Sequence, residues 1–157
     1  MHVRSATPAD IPAMIRLEQE CATAAHWTEE QYRHAFQRDG VLRLVLVAES
    51  SATIASRPDA GGDLVGFLMA RYLEPEWELE NVLVAPTARR QGLAKRLLDT
   101  LFTAAREANG GSVFLEVRES NAAARSLYER TGFEQTGRRK GYYTDPVEGA
   151  VLYRFNL

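Results

Sequence analysis

The chain has 157 residues, 45% hydrophobic and 25% charged, with a formal net charge of −2 and a single cysteine, Cys21. Such totals suit one soluble domain, 1–157, with a substantial core, and exclude a disordered segment, a disulfide scaffold and a broadly basic nucleic-acid binder. No apolar run approaches the roughly 18 residues that cross a bilayer, and the first residues lack the basic-then-apolar pattern of an export signal, so a cytoplasmic location without membrane attachment is expected.

His2 to Ala6 alternates and predicts a first strand. Thr7-Pro8-Ala9-Asp10 predicts a helix start, with Thr7 as N-cap, Pro8 at the first helical position and Asp10 in the first turn. The spacing of Ile11, Met14, Ile15, Leu17 and Cys21 carries that helix to about Thr23 and makes Cys21 a buried thiol rather than a nucleophile. Thr28 and Gln31 form a capping box that starts another helix after Trp27, ending near Gly40. Val41 to Glu49 reads as the second strand. Ser50 to Asp63, rich in Ser, Ala, Gly, Asp and Pro, reads as a long loop. Leu64 to Leu73 and Trp77 to Ala85 read as the third and fourth strands, joined by the turn Glu74-Pro75-Glu76, so strands two to four form an antiparallel meander.

The next helix is apolar at Leu97, Leu98, Leu101, Phe102 and Ala105 and stops at Asn109-Gly110-Gly111. Ser112 to Val117 is a fifth strand. The strand–helix–strand run makes it a parallel neighbour of the fourth. Ser120-Asn121 caps a helix that stops at Gly132; Phe133 onward is strand, Gly141 to Gly149 a loop, and Ala150 to Asn156 the last strand. The whole is a mixed α/β sheet with helices on its faces.

Two clusters carry chemistry. Arg89-Arg90-Gln91-Gly92-Leu93-Ala94-Lys95 lies where a helix begins, and a helix start offers unpaired N–H groups and a partial positive charge. Gly92 and Ala94 keep bulk away, so a phosphate can approach closely. The plain alternative is a basic surface turn. There is no Gly-Lys-Ser/Thr ending and no G-x-G-x-x-G, which argues against a P-loop or a dinucleotide fold. The second cluster is Glu116, Asn121 and Tyr128. Strand alternation puts Glu116 on the face opposite Val113, Leu115 and Val117, either as a solvated carboxylate or as a general base beside a crevice. Asn121 reads most simply as a cap and Tyr128 as core packing.

Taken together these stretches resemble a known family. Arg89-x-x-Gly92-x-Ala94 after a Val-Leu-Val strand is similar to the pyrophosphate loop of the GNAT N-acetyltransferase superfamily. Glu116-Val117-Arg118, Asn121, Ala124, Leu127-Tyr128 and Gly132-Phe133 resemble its signature, most closely in the RimI-type, ribosomal-protein-alanine branch. His26-Trp27-Thr28 and Arg138-Arg139-Lys140-Gly141-Tyr142-Tyr143 echo looser segments of that branch. Three departures stand out: His26 in place of proline, Gly149 after Glu148 in place of aspartate, and a longer Ser50 to Asp63 loop.

The resemblance implies a largely antiparallel mixed sheet of about seven strands with splayed fourth and fifth strands. It implies acetyl-CoA as co-substrate, with no metal. Val82, Leu83 and Val84 would meet the pantetheine arm and the oxyanion, and Asn121 would meet that arm too. Backbone N–H groups from Gln91 to Lys95 would hold the pyrophosphate, with Arg89, Arg90 and Lys95 adding charge. Glu116 would be the general base, acting through water, and Tyr128 the acid for the leaving thiolate. Trp27, Tyr142, Tyr143 and Glu148 are candidates for the acceptor slot. The branch implies the N-terminal alanine of a small-subunit ribosomal protein as acceptor and a monomeric enzyme. An α-amine, with a pKa of about 7.7–8.0 against about 10.4 for lysine, needs less help from a base. A lysine side chain or small amine as acceptor, or a non-catalytic acyl-CoA-binding module, are the other readings.

Overall fold

A computed structural model describes residues 1–37, 41–50 and 63–157. In chain order the elements are β1 (His2–Ser5), α1 (Ile11–Gln19), α2 (Glu29–Ala35), β2 (Arg43–Glu49), β3 (Leu64–Leu73), β4 (Glu76–Val84), α3 (Leu93–Glu107), β5 (Ser112–Arg118), α4 (Ala122–Arg130), β6 (Glu134–Thr144) and β7 (Val147–Asn156). Short 3-10 turns at Pro8–Asp10 and Pro86–Ala88 lead into α1 and towards α3. The strands form one sheet in the order β1-β2-β3-β4-β5-β7-β6, antiparallel except for β4 and β5.

Local signals set most of these bounds. Thr28 Oγ1 accepts from the Gln31 N–H at 3.2 Å, and the Gln31 side chain accepts from the Thr28 N–H at 2.8 Å, which starts α2 as the capping box requires. At Thr7 the Asp10 carboxylate accepts the N–H at 2.8 Å. α2 ends at Ala35 with Phe36 as its C-cap, short of the expected end near Gly40. Most of the expected loop from Ser50 to Asp63 lies outside the described residues; at its edges, Ser50 N–H donates to the Asp63 carbonyl at 3.0 Å.

Both faces of the sheet are covered. In β3, Gly66 to Ala70 are buried without a break, where a half-exposed strand would alternate. A side chain at Gly66 would meet Leu93 of α3, whereas its neighbour Phe67 packs edge-on against Tyr32 of α2 at 6.1 Å. Successive residues point to opposite faces, so α2 and α3 sit on opposite sides. Leu93, Leu97, Leu98, Leu101 and Phe102 of α3 are all buried, each contributing about 1.5–3 kcal/mol.

Three further expectations about extent need correction. α1 stops at Gln19, not near Thr23, because only Cys21 beyond it finds the core and the chain turns there, with Cys21 N–H on the Glu18 carbonyl at 3.1 Å. Gly141 to Gly149 is not a loop: β6 and β7 run on as a hairpin to a tip at Asp145-Pro146. The fourth strand starts at Glu76, inside the expected turn.

The feature that positions the site is the parting of β4 and β5. They pair only at Glu76–Ser112, Trp77–Val113 and Glu78–Phe114. Past that point β4 stays on β3 out to Val84, and β5 stays on β7 out to Arg118. Two strand edges therefore face each other across a gap, as the splay expectation requires. β4 also carries a bulge: Met69 pairs with Asn81 and Ala70 with Leu79, leaving Glu80 as the extra residue.

Candidate active site

At the wide end of the gap β4 gives way to the turn into α3. Arg90 and Gly92 take positive φ values of 62° and 75°. The first bond within α3 is Arg96 N–H to the Gly92 carbonyl at 3.0 Å, so the N–H groups of Leu93, Ala94 and Lys95 have no acceptor inside the helix. A Cβ on Gly92 would meet no protein atom within 4 Å. That space and those donors fit an anion such as a pyrophosphate. The Arg89 side chain turns inward: Nε donates to the Val84 carbonyl at 3.1 Å and Nη2 lies 3.5 Å from the Cys21 sulfur. It braces the turn against the end of α1. Lys95 pairs with Asp99 at 2.7 Å on the exposed side of α3, and the Gln91 amide reaches back to the Thr87 carbonyl at 3.4 Å.

Val82, Leu83 and Val84 line one side of the gap, paired with β3 on their other edge. Glu116 lies on the other side. In β5 and β7 the pairs Val113–Phe155 and Leu115–Tyr153 are in register, and directly paired residues share a face. Phe155 stacks on Phe102 of α3 at 4.0 Å, and Tyr153 lies 6.0 Å from Tyr128 of α4. So Tyr128 belongs to the α3/α4 side of the sheet, and Glu116 points to the α1/α2 side. The expected base and acid approach the gap from opposite faces. Burial pushes the Tyr128 phenol well above the usual tyrosine range, so it holds its proton. Asn121 is the N-cap of α4, its Oδ1 accepting from Ala124 N–H at 3.2 Å.

The β6–β7 hairpin closes over Glu116. Arg139 Nη2 stands 3.4 Å from its carboxylate, and the Tyr142 phenol meets the same carboxylate, which raises the Tyr142 pKa. Tyr143 lies under the Arg118 guanidinium at 4.4 Å. Glu148 is engaged by Arg118 at 3.0 Å and by the Ser120 hydroxyl at 3.0 Å, and these bonds hold its carboxyl below the usual range. Its charge ties the hairpin to the end of β5.

On the α1/α2 side Trp27 is fixed by its backbone: its N–H donates to Glu18 at 2.9 Å. Glu18 is 2% exposed and also lies 3.4 Å from the Asn81 amide of β4. The buried Tyr32 hydroxyl stands beside this carboxylate outside hydrogen-bond geometry. Sequence reasoning missed Glu18 and Asn81, and quoted Arg118 and Arg139 within motifs without giving them a role. The polar residue Glu18 in the middle of an apolar helix stripe was the one available signal for this network.

The comparisons agree with this geometry. The Acetyltransferase (GNAT) family profile matches residues 11–133. The [ribosomal protein bS18]-alanine N-acetyltransferase of Escherichia coli K12 is 32% identical over 152 residues, covering 96% of this chain and 93% of that protein. The crystal structure of the ribosomal-protein-S18-alanine N-acetyltransferase from Escherichia coli superposes with a TM-score of 0.77 at 30% identity, covering 99% of this chain and 92% of that one. Ard1 from Thermoplasma volcanium superposes with a TM-score of 0.81 at 27% identity, covering 99% and 97%. The chain belongs to the GNAT acetyltransferase family and is an N-acetyltransferase. No helix among the described residues is long and apolar enough to cross a membrane.

Proposed function

We propose that this chain, acting as one unit over 1–157, transfers the acetyl group of acetyl-CoA to the N-terminal α-amine of a protein, and that the acceptor is the N-terminal alanine of a ribosomal protein. The observation that carries the reading is the placement of Glu116 and Tyr128 on opposite faces of β5 at the parted strands. The relatives named for the bS18 alanine supply the acceptor class.

Acetyl-CoA supplies an acyl group activated as a thioester. The N–H groups of Leu93 to Lys95 and the helix dipole hold its pyrophosphate, and Asn121, with the unpaired edge of Val82 to Val84, receives the pantetheine arm. A backbone N–H of Leu83 or Val84 stabilises the oxyanion. On the α1/α2 face Glu116 takes the proton of the attacking amine through water. On the other face Tyr128 donates to the departing thiolate. Trp27, Tyr142 and Tyr143 flank the acceptor; Arg89 and Glu148 hold the turn and the hairpin that frame it.

The test is thiol release from acetyl-CoA with three peptides: an alanine-led ribosomal N-terminus, the same peptide acetylated at its α-amine, and an α-blocked peptide with an internal lysine. Turnover of the first alone is expected. Turnover of the lysine peptide would move the acceptor to side chains, and tight acetyl-CoA binding with no turnover of any peptide would leave a small amine or a non-catalytic module.

A further inference from the structure

A second cavity of about 430 Å³ lies between α2 and the bulge of β4, lined by Trp27, Glu30, Gln31, His34, Arg43 and Glu80. Trp27 also flanks the proposed acceptor; the other lining residues have no part in the transfer chemistry. Glu80 is the extra residue of the bulge, and its side chain is only 12% exposed. Its nearest cations, Arg71 at 3.6 Å and Arg43 at 4.0 Å, are beyond good hydrogen-bond reach, and Arg71 gives its short bond to Glu78. Glu80 Oε2 is buried with no hydrogen bond among the described residues, and burial raises the carboxyl pKa. A buried carboxylate oxygen without a donor is costly, and a ligand N–H would relieve it.

The chemistry of the walls narrows the ligand. Two carboxylates, Glu30 and Glu80, outnumber the one guanidinium of Arg43, and the Trp27 ring, set against Tyr32 at 5.6 Å, forms an aromatic side. Carboxylates beside an indole suit a guanidinium or ammonium group. The cavity lies on the α1/α2 face of the sheet, the face to which Glu116 points.

We propose that this cavity is a subsite for a basic side chain near the amino terminus of the acceptor polypeptide, with Glu80 as its specificity-determining residue. The proposal rests on the N-terminal acetyltransferase reading. The experiment compares alanine-led peptides that differ only in arginine, alanine or glutamate at the second or third residue, with wild type, Glu80→Gln and Glu30→Gln. In wild type, kcat/KM for the better-placed arginine peptide should exceed that for its alanine counterpart by about tenfold, or ~1.4 kcal/mol. Glu80→Gln should bring that ratio to within about twofold. Glu30→Gln, a change at an exposed helix position, should lower the ratio by a smaller factor and serves if Glu80→Gln does not fold. A wild-type ratio near one, or a preference kept in the variants, overturns the subsite and leaves the activity standing. Turnover of no peptide while acetyl-CoA binds overturns the N-terminal reading and the subsite with it.

Discussion

Glu116 has a competitor. The Arg139 guanidinium stands 3.4 Å from its carboxylate, so an incoming ammonium must share or displace that partner before giving up its proton. Removing the charge while keeping the shape separates proton transfer from binding. Glu116→Gln should lower kcat by about 10²–10⁴-fold and leave the KM for acetyl-CoA nearly unchanged in the thiol-release assay; a kcat near wild type would transfer the role elsewhere. Tyr128 makes a prediction about pH. As the proposed acid its phenol must be protonated, and burial holds its pKa above the ordinary value of about 10. A raised pKa extends the protonated form to higher pH. The rate should therefore rise with deprotonation of the acceptor α-amine, near about pH 8, and hold towards about pH 10. A falling limb centred below pH ~9 in wild type would remove Tyr128 as the acid.

Elements read from local chemistry were legible in the sequence, and those set by partners were not. The Thr28–Gln31 box, the α3 stripe and the parallel β4–β5 unit each followed from spacing or capping and are present. β6 was foreseen from Phe133, but its far end beyond Gly141 was hidden because it is an edge strand, largely exposed, so its residues carry no alternation to read. The contact of Glu18 with Asn81 of β4 joins residues far apart in the chain, and no local signal shows it. Similarly, the motif pointed to Arg89 as a phosphate ligand, yet its side chain braces the turn; only the fold reveals which way a side chain leaves a turn. The turn's backbone gives a sharper prediction. Gly92→Ala places a Cβ at φ 75° where the protein itself leaves room. Folding should lose only about 1 kcal/mol. Acetyl-CoA affinity should fall at least about tenfold, as calorimetry would show, because the added methyl enters the space proposed for the phosphate. Equal, small losses in both would mean that no anion sits there.

At the first edge of the sheet, Arg4 joins three elements. It bonds Asp10 at 2.8 and 2.9 Å and Glu49 at 2.6 and 3.0 Å, fastening β1 to the lead-in of α1 and to β2. The Arg4 hydrogen bonds hold the Asp10 carboxyl below its usual pKa. A carboxyl depressed in the folded state adds stability above its unfolded pKa, about 3.9, and that gain is lost as pH falls through the lower folded value. Arg4→Met should therefore cost about 2 kcal/mol in urea unfolding at pH 7, and the gap to wild type should narrow below about pH 3.9. A gap that stays constant into acid would show that the methylene packing of Arg4, and not its charge, holds this edge.

Across the whole molecule the gap is an unfinished sheet. β4 and β5 each keep one paired edge and leave the other open beyond Glu78 and Phe114. Backbone donors and acceptors left open inside a fold are a cost unless something pairs with them. The two halves of the sheet are then joined by three rungs and by the core beneath them, with α3 packing under β2 to β4 and the aromatic cluster of Phe102, Phe133 and Phe155 under β5 and β7. A co-substrate that lies along the open edges adds contacts to both halves at once, so its binding energy appears as stability of the whole chain. At a concentration of 100 Kd that amounts to about 2.7 kcal/mol, and for a chain of this size acetyl-CoA should raise Tm by about 5–10 °C. Hydrogen exchange locates the effect: the amides of Val82 to Val84 and of Leu93 to Lys95 should slow on binding, while those of β1 and β6 should change little. Slowing at Leu93 to Lys95 alone would mean that the phosphate end binds but the arm does not lie between the strands.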